Sequence, residues 1–129
     1  MRLLRHGHFH PMRVAVAFYF CRTLEGRADK EDEQGQMILR QLEAQELDII
    51  TFTSSSTVRN FMQWLMEYNV SFTKTFIRCV AEFARPKIAC IGPITSQTAR
   101  ECGLNIHIEA QVYTIAGLVE AIIRNEEKE

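Results

Sequence analysis

The sequence predicts an α/β protein built on a parallel sheet with flanking helices, and three observations predict it. Residues 47–52 and 87–91 are short, almost continuously apolar runs, the pattern of strands covered on both faces. Each run leads at once into a turn. The first turn is the hydroxyl run Thr53, Ser54, Ser55, Ser56 and Thr57, the second is Gly92-Pro93, and each is followed by a helical pattern. Strands alternating with helices favour parallel pairing through helical crossovers.

The elements follow in order. Residues 1–12 receive no element. They carry His6, His8 and His10, and alternate histidines in an extended segment share a face that a metal could use. Beside Pro11, in a terminal stretch, they are given no role. Residues 13–23 are β-branched and aromatic and predict a strand. Residues 24–35, charged and carrying Gly26 and Gly35, predict an exposed connection. Met37, Ile38, Leu39 and Leu42 place an amphipathic helix over residues 36–46, which leads into the strand 47–52 with Asp48 at its entry.

After the hydroxyl run, Val58, Phe61, Met62, Leu65 and Met66 recur at helical spacing and define a buried stripe that leaves Trp64 outside it. Residues 72–83 predict a further helix, ended by Arg85-Pro86 because the residue before proline resists the α region. Gly92-Pro93 stops the strand 87–91. Thr95 or Ser96 caps a short helix that Gly103 closes. Residues 106–110 form a short last strand. Thr114 caps the last helix, whose buried face is Ile115, Leu118, Val119 and Ile122, and residues 124–129 fray into solvent. The organisation is therefore residues 1–12 unassigned, 13–35 strand and linker, and 36–129 one α/β domain.

Composition narrows the function classes. Fifteen basic and 16 acidic residues give a formal net charge of −1 over 129 residues, which offers nothing to nucleic acid or to an anionic membrane surface. The longest apolar runs fall far short of the roughly 20 residues that cross a bilayer. Residues 1–12 lack the apolar core and cleavage site of a secretory signal, and the expected setting is cytoplasmic. Cys21, Cys79, Cys90 and Cys102 show neither metal-ligand spacing nor a secreted disulfide framework, so they read as reduced thiols.

The two turns carry the chemistry. A helix amino terminus following a strand offers unpaired N–H groups and a positive dipole end, and nearby hydroxyls complete a cradle for carboxylate or phosphate without a charged side chain. In parallel sheets such turns lie at the carboxyl ends of the strands, where ligands bind. Capping competes with this reading, since Ser and Thr are preferred caps worth about 1 kcal/mol. One cap explains one hydroxyl, and five in a row exceed it. A ligand with several negative groups is the expectation.

These residues carry a resemblance. Asp48-Ile-Ile-Thr-Phe-Thr-Ser-Ser-Ser-Thr-Val-Arg-Asn-Phe61, then Lys87-Ile-Ala-Cys-Ile-Gly-Pro-Ile-Thr-Ser-Gln-Thr-Ala99, Gly103-Leu104 and Ala110-Gln-Val-Tyr-Thr-Ile-Ala-Gly-Leu-Val-Glu-Ala121 resemble, in order and spacing, the C-terminal half of the uroporphyrinogen-III synthase family. The resemblance implies a flavodoxin-like half of a two-domain fold. It also implies a cofactor-free, cytoplasmic lyase of tetrapyrrole and heme biosynthesis that cyclises hydroxymethylbilane to uroporphyrinogen III, inverting ring D with loss of water. In the family's scheme the hydroxyl leaves to give an azafulvene, and a spiro intermediate then fragments and recloses. By resemblance, Thr53, Ser54, Ser55 and Ser56 bind acetate or propionate groups, as do Gly92, Pro93, Ile94 and Thr95. A family tyrosine thought to assist hydroxyl departure falls on Cys21 here, and Tyr19, two residues earlier on the same strand face, is the candidate to take its place.

The family holds its substrate between two domains, and this sequence matches the returning half, incomplete relative to that pair. The expected partners are therefore the linear tetrapyrrole and either a homodimer partner or a complementing N-terminal half. No metal is expected. A non-catalytic anion-binding or tetrapyrrole-binding interaction module is the alternative. A phosphorelay receiver is excluded, because Thr53 and Ser54 stand where its strand-end aspartate belongs.

Overall fold

The computed structural model describes residues 2–5, 8–11, 14–16 and 33–127. Strands β1 (Arg2–Arg5) and β2 (His8–Pro11) pair antiparallel within the stretch left without an element above. They are followed by β3 (Val14–Val16), α1 (Glu33–Glu43), β4 (Ile49–Phe52), α2 (Ser55–Tyr68), α3 (Val70–Phe83), β5 (Lys87–Cys90), α4 (Pro93–Glu101), β6 (Ile108–Glu109) and α5 (Ile115–Glu127). Strands β3, β4, β5 and β6 form a parallel sheet in that order. The α/β class and the parallel sheet agree with the expectation.

Period-two alternation divides the core into two layers. Ile50 and Phe52 of β4, with Ile88 and Cys90 of β5, face Leu39 and Leu42 of α1, Phe61 and Leu65 of α2, Phe76 and Val80 of α3, and Ala99 of α4. Ile49, Ala89 and Ile108 face the other way, onto Leu118 and Ile122 of α5. Both faces of the central strands are thus covered, which is why their sequence is apolar throughout.

Several boundaries differ from expectation. Helix α1 begins at Glu33, so the last residues of the expected connection are helical. Trp64 is buried and Met66 is 46% exposed, the reverse of the predicted stripe. At about 100° per residue, Thr57, Val58, Phe61, Met62, Trp64 and Leu65 cover a face roughly 160° wide, displaced toward Trp64. The displacement follows the packing: the Phe61 ring meets Phe76 of α3 edge-on at 5.7 Å and lies 6.2 Å from Trp64. One residue, Asn69, closes α2 with its N–H on the Leu65 carbonyl and opens α3 by accepting the Phe72 N–H at 2.9 Å.

Helix α4 is capped by Gly92 with Pro93 at its first position, whereas Thr95 and Ser96 lie buried inside it. Proline suits that place because the first helical N–H has no partner to lose. Gly103 closes the helix as expected, at φ +94, with its N–H on Arg100 O and the Leu104 N–H on Ala99 O, the two bonds of a Schellman motif. Helix α5 buries Leu118, Ile122 and Glu126, while Ile115 and Val119 are exposed. Ile115 shares the buried face but stands in the first turn, past the end of the short β6. The expected fraying is also corrected, since α5 continues to Glu127.

Candidate functional site

Register aligns the two turns. Phe52 pairs with Cys90, and the Ile91 N–H donates to the Phe52 carbonyl at 3.1 Å. Ser54 lies two residues beyond Phe52, and Gly92 two beyond Cys90. The amino ends of α2 and α4 therefore stand level on adjacent parallel strands, at the carboxyl edge of the sheet.

At the first end the capping explanation holds for Ser54. Its Oγ accepts the Thr57 N–H at 3.2 Å, the Ser54 N–H reaches Thr57 Oγ1 at 3.3 Å, and the Thr57 hydroxyl donates to the Ser54 carbonyl at 2.7 Å. This is a capping box in which threonine replaces the usual glutamate or glutamine. Thr57 is fully buried, so it serves the cap and the core. Thr53 and Ser55 are half-buried and Ser56 is exposed at the turn. Two of the first N–H groups of α2, those of Ser55 and Ser56, have no acceptor within the helix.

At the second end Gly92 is buried, Pro93 and Ile94 are exposed, and Thr95 is buried. The Ser96 N–H already closes on the Gly92 carbonyl at 3.0 Å, which leaves the N–H groups of Ile94 and Thr95 as the outward donors. Neither α2 nor α4 carries an acidic residue in its first turn. Neither first turn supplies a carboxylate to its own positive dipole end, so the pair can take up two anionic groups on neutral donors.

Two residues that sequence reasoning passed over join this edge. Thr98, buried on α4, places its Oγ1 at 2.8 Å from Ser55 Oγ and 3.2 Å from the Ile94 carbonyl, which links the two turns through side chains 43 positions apart. Its place one helical turn beyond Ile94 was the available signal. Tyr113, in the loop before α5, lays its ring against Gly92. Nothing local in the sequence pairs residues so far apart.

Behind the second turn, burial pushes the Cys90 thiol up to about 11, against a lowering contact from Ser96. Cys90 is a packing residue at neutral pH. Tyr19 and Cys21 lie outside the described residues. No group of three or more His, Cys, Asp or Glu side chains that could hold a metal ion occurs among the described residues.

The chain is similar in sequence to known proteins. A family model described as uroporphyrinogen-III synthase HemD matches residues 26–120. The chain is 45% identical over 76 residues to a uroporphyrinogen-III synthase of Synechococcus elongatus, covering 59% of the chain and 26% of that protein. It is 32% identical over 79 residues to a putative uroporphyrinogen-III synthase of Methanothermobacter thermautotrophicus, covering 61% of the chain and 27% of that protein. The matched stretch spans about a quarter of the length of these relatives. No solved structure matches the chain significantly.

Proposed function

Because the chain belongs to the uroporphyrinogen-III synthase family, we propose that the carboxyl edge of its sheet binds hydroxymethylbilane and orients it for closure to uroporphyrinogen III. The observation that carries this reading is the pair of level helix ends, rooted on neighbouring strands, lined by hydroxyls and free of first-turn acids. A linear tetrapyrrole presents acetate and propionate arms along its length. Neutral N–H and hydroxyl donors hold such arms without the net positive charge this chain lacks.

In this reading Thr53, Ser55 and Ser56 contact one carboxylate, while Ser54 shapes the turn as its cap. Gly92, Pro93, Ile94 and Thr95 form the second seat through the α4 backbone. The chemistry asked of these groups is positioning: two arms fixed on this wall keep the bound chain spread along the edge, and the facing wall is needed to bring the terminal rings within reach of each other for an oriented closure. Tyr19 is the candidate to assist departure of the hydroxyl. The surface forms one wall of a cleft, with the facing wall supplied by a second copy or a complementing half. A cytoplasmic setting belongs to the same proposal; among the described residues no helix is long and apolar enough to cross a membrane.

Freshly generated hydroxymethylbilane tests it, with the uroporphyrinogen isomers separated after oxidation. The chain alone should leave mostly the spontaneous isomer I, yet retard that closure by binding the substrate. Replacing Ser55 and Ser56 together by alanine should remove the retardation. Efficient formation of isomer III by a monomer refutes the single-wall reading, and an unchanged rate of closure refutes binding at this edge.

A further inference from the structure

Gly92 has an extended backbone, φ −174 and ψ −179, which any residue adopts, so its lack of a side chain is not a conformational need. Space supplies the need. A Cβ at Gly92 would sit 3.2 Å from Cδ1 and 3.3 Å from Cγ of Tyr113, tighter than ordinary van der Waals contact. The glycine therefore admits an aromatic ring to the amino end of α4. That ring is not placed there to be buried, because Tyr113 remains 63% exposed.

The backbone that carries the ring is closely bonded all the same. The Thr114 N–H closes on the Val112 carbonyl at 2.8 Å, the Gly117 N–H donates to Thr114 Oγ1 at 2.9 Å, and the Leu118 N–H donates to the Thr114 carbonyl at 2.9 Å. Gly117 is itself required, since a Cβ there would meet the Val112 carbonyl at 2.1 Å. Two glycines and a helix cap thus shape the backbone that presents one exposed aromatic face beside the amino end of α4. Ile94 and Val112, 78% and 60% exposed, bring further apolar surface to the same end. An aliphatic polycarboxylate has no use for that surface. A flat, apolar ring carrying a carboxylate arm uses both parts.

We propose that Tyr113 is a positioning residue for the tetrapyrrole, a platform on which one pyrrole ring stacks while its acid arm enters the α4 terminus. The inference rests on the binding reading given above and extends it to a residue outside both turns. Offset stacking on a pre-set ring adds to area burial and fixes the orientation of the stacked ring.

The full chain is titrated with uroporphyrin III, followed by the porphyrin absorption band, and with tricarballylate, which has carboxylates and no ring, followed by calorimetry. Tyr113→Ala should weaken uroporphyrin roughly three- to tenfold. Tyr113→Phe should restore it, and tricarballylate should bind both variants as it binds the unsubstituted chain. A thermal melt of each variant shows that the fold is kept. Equal uroporphyrin affinity in Tyr113→Ala, or failure of phenylalanine to restore it, overturns this inference and leaves the binding reading standing. If the unsubstituted chain does not bind uroporphyrin, both fall.

Discussion

Replacing Thr98 by valine tests whether the two turns act as a unit. The two side chains have nearly the same shape, so the substitution removes a hydroxyl and leaves the packing between α4 and α2 in place. The lost contacts are those of Oγ1 with Ser55 Oγ at 2.8 Å and with the Ile94 carbonyl at 3.2 Å. Ile94 O also lies within the backbone ladder of α4, and Ser55 is half-buried and can be hydrated. Neither group is left stranded, and the cost is about 0.5–1.5 kcal/mol for one net hydrogen bond. An unfolding entropy of about 2.1 cal/mol/K per residue gives about 0.27 kcal/mol/K for 129 residues, so the melting temperature should fall by roughly 2–6 °C. Loss of the tie also frees the Ser55 rotamer, and uroporphyrin affinity should drop several-fold. Thr98→Ser, which keeps the hydroxyl, should recover affinity more fully than stability, because it lacks the methyl group. Circular dichroism melts and a porphyrin titration read the two quantities separately. A valine variant that melts and binds like the unsubstituted chain would refute the bridge.

Gly103→Ala should destabilise by about 1–2 kcal/mol, the strain of a left-handed alanine, and lower the melting point by roughly 4–7 °C. The nearest atoms, on Ile77, lie at 3.8 Å and leave room, so a loss far beyond that would show that φ +94 is not the cause. His107 accepts the Ile88 N–H on Nδ1 at 3.0 Å and is therefore needed neutral. Burial, with Lys87 nearby, lowers its pKa below the usual 6.5, partly opposed by a hydrogen bond to the Val80 backbone. The unfolded chain then takes up a proton that the folded chain refuses, so this contribution is complete above about pH 6.5 and declines as the pH falls below it. Urea midpoints at pH 7.5 and 5.5 should differ more for the unsubstituted chain than for His107→Asn; equal differences would remove His107 from the acid response. Cys90, with its thiol raised to about 11 and no exposed surface, should be the slowest of Cys79, Cys90 and Cys102 to alkylate with iodoacetamide. Mass spectrometry of peptides sampled over time would refute this if Cys90 reacted first.

The legible parts of the fold were those set by local pattern. The central strands announced themselves because burial on both faces demands unbroken apolar residues, and the Thr114 cap and Gly103 stop are chemical requirements of helix ends. Where the reading missed, a neighbour decided. Trp64 is buried in the core cluster that Phe61 shares with Phe76 of α3, and Ile115 is exposed in the first turn of α5, where no described strand reaches it. The α4 cap was misplaced because hydroxyls at Thr95 and Ser96 suggested it, whereas proline at the first position already set the start. Of the candidate site, the two turns were visible as hydroxyl and Gly-Pro signals. Thr98 and Tyr113 were not, since each acts across space on a residue remote in sequence.

Level helix ends on neighbouring strands also act as a ruler. Packed helices stand about 8–10 Å apart, and that spacing is set by the sheet beneath them, so it does not adjust to the guest. A molecule whose two acids are held closer together can fill one end and leaves the other to water. On the binding reading proposed above, selection by such an edge is selection for the distance between acids, and it favours chains of linked rings over compact dicarboxylates of the same charge.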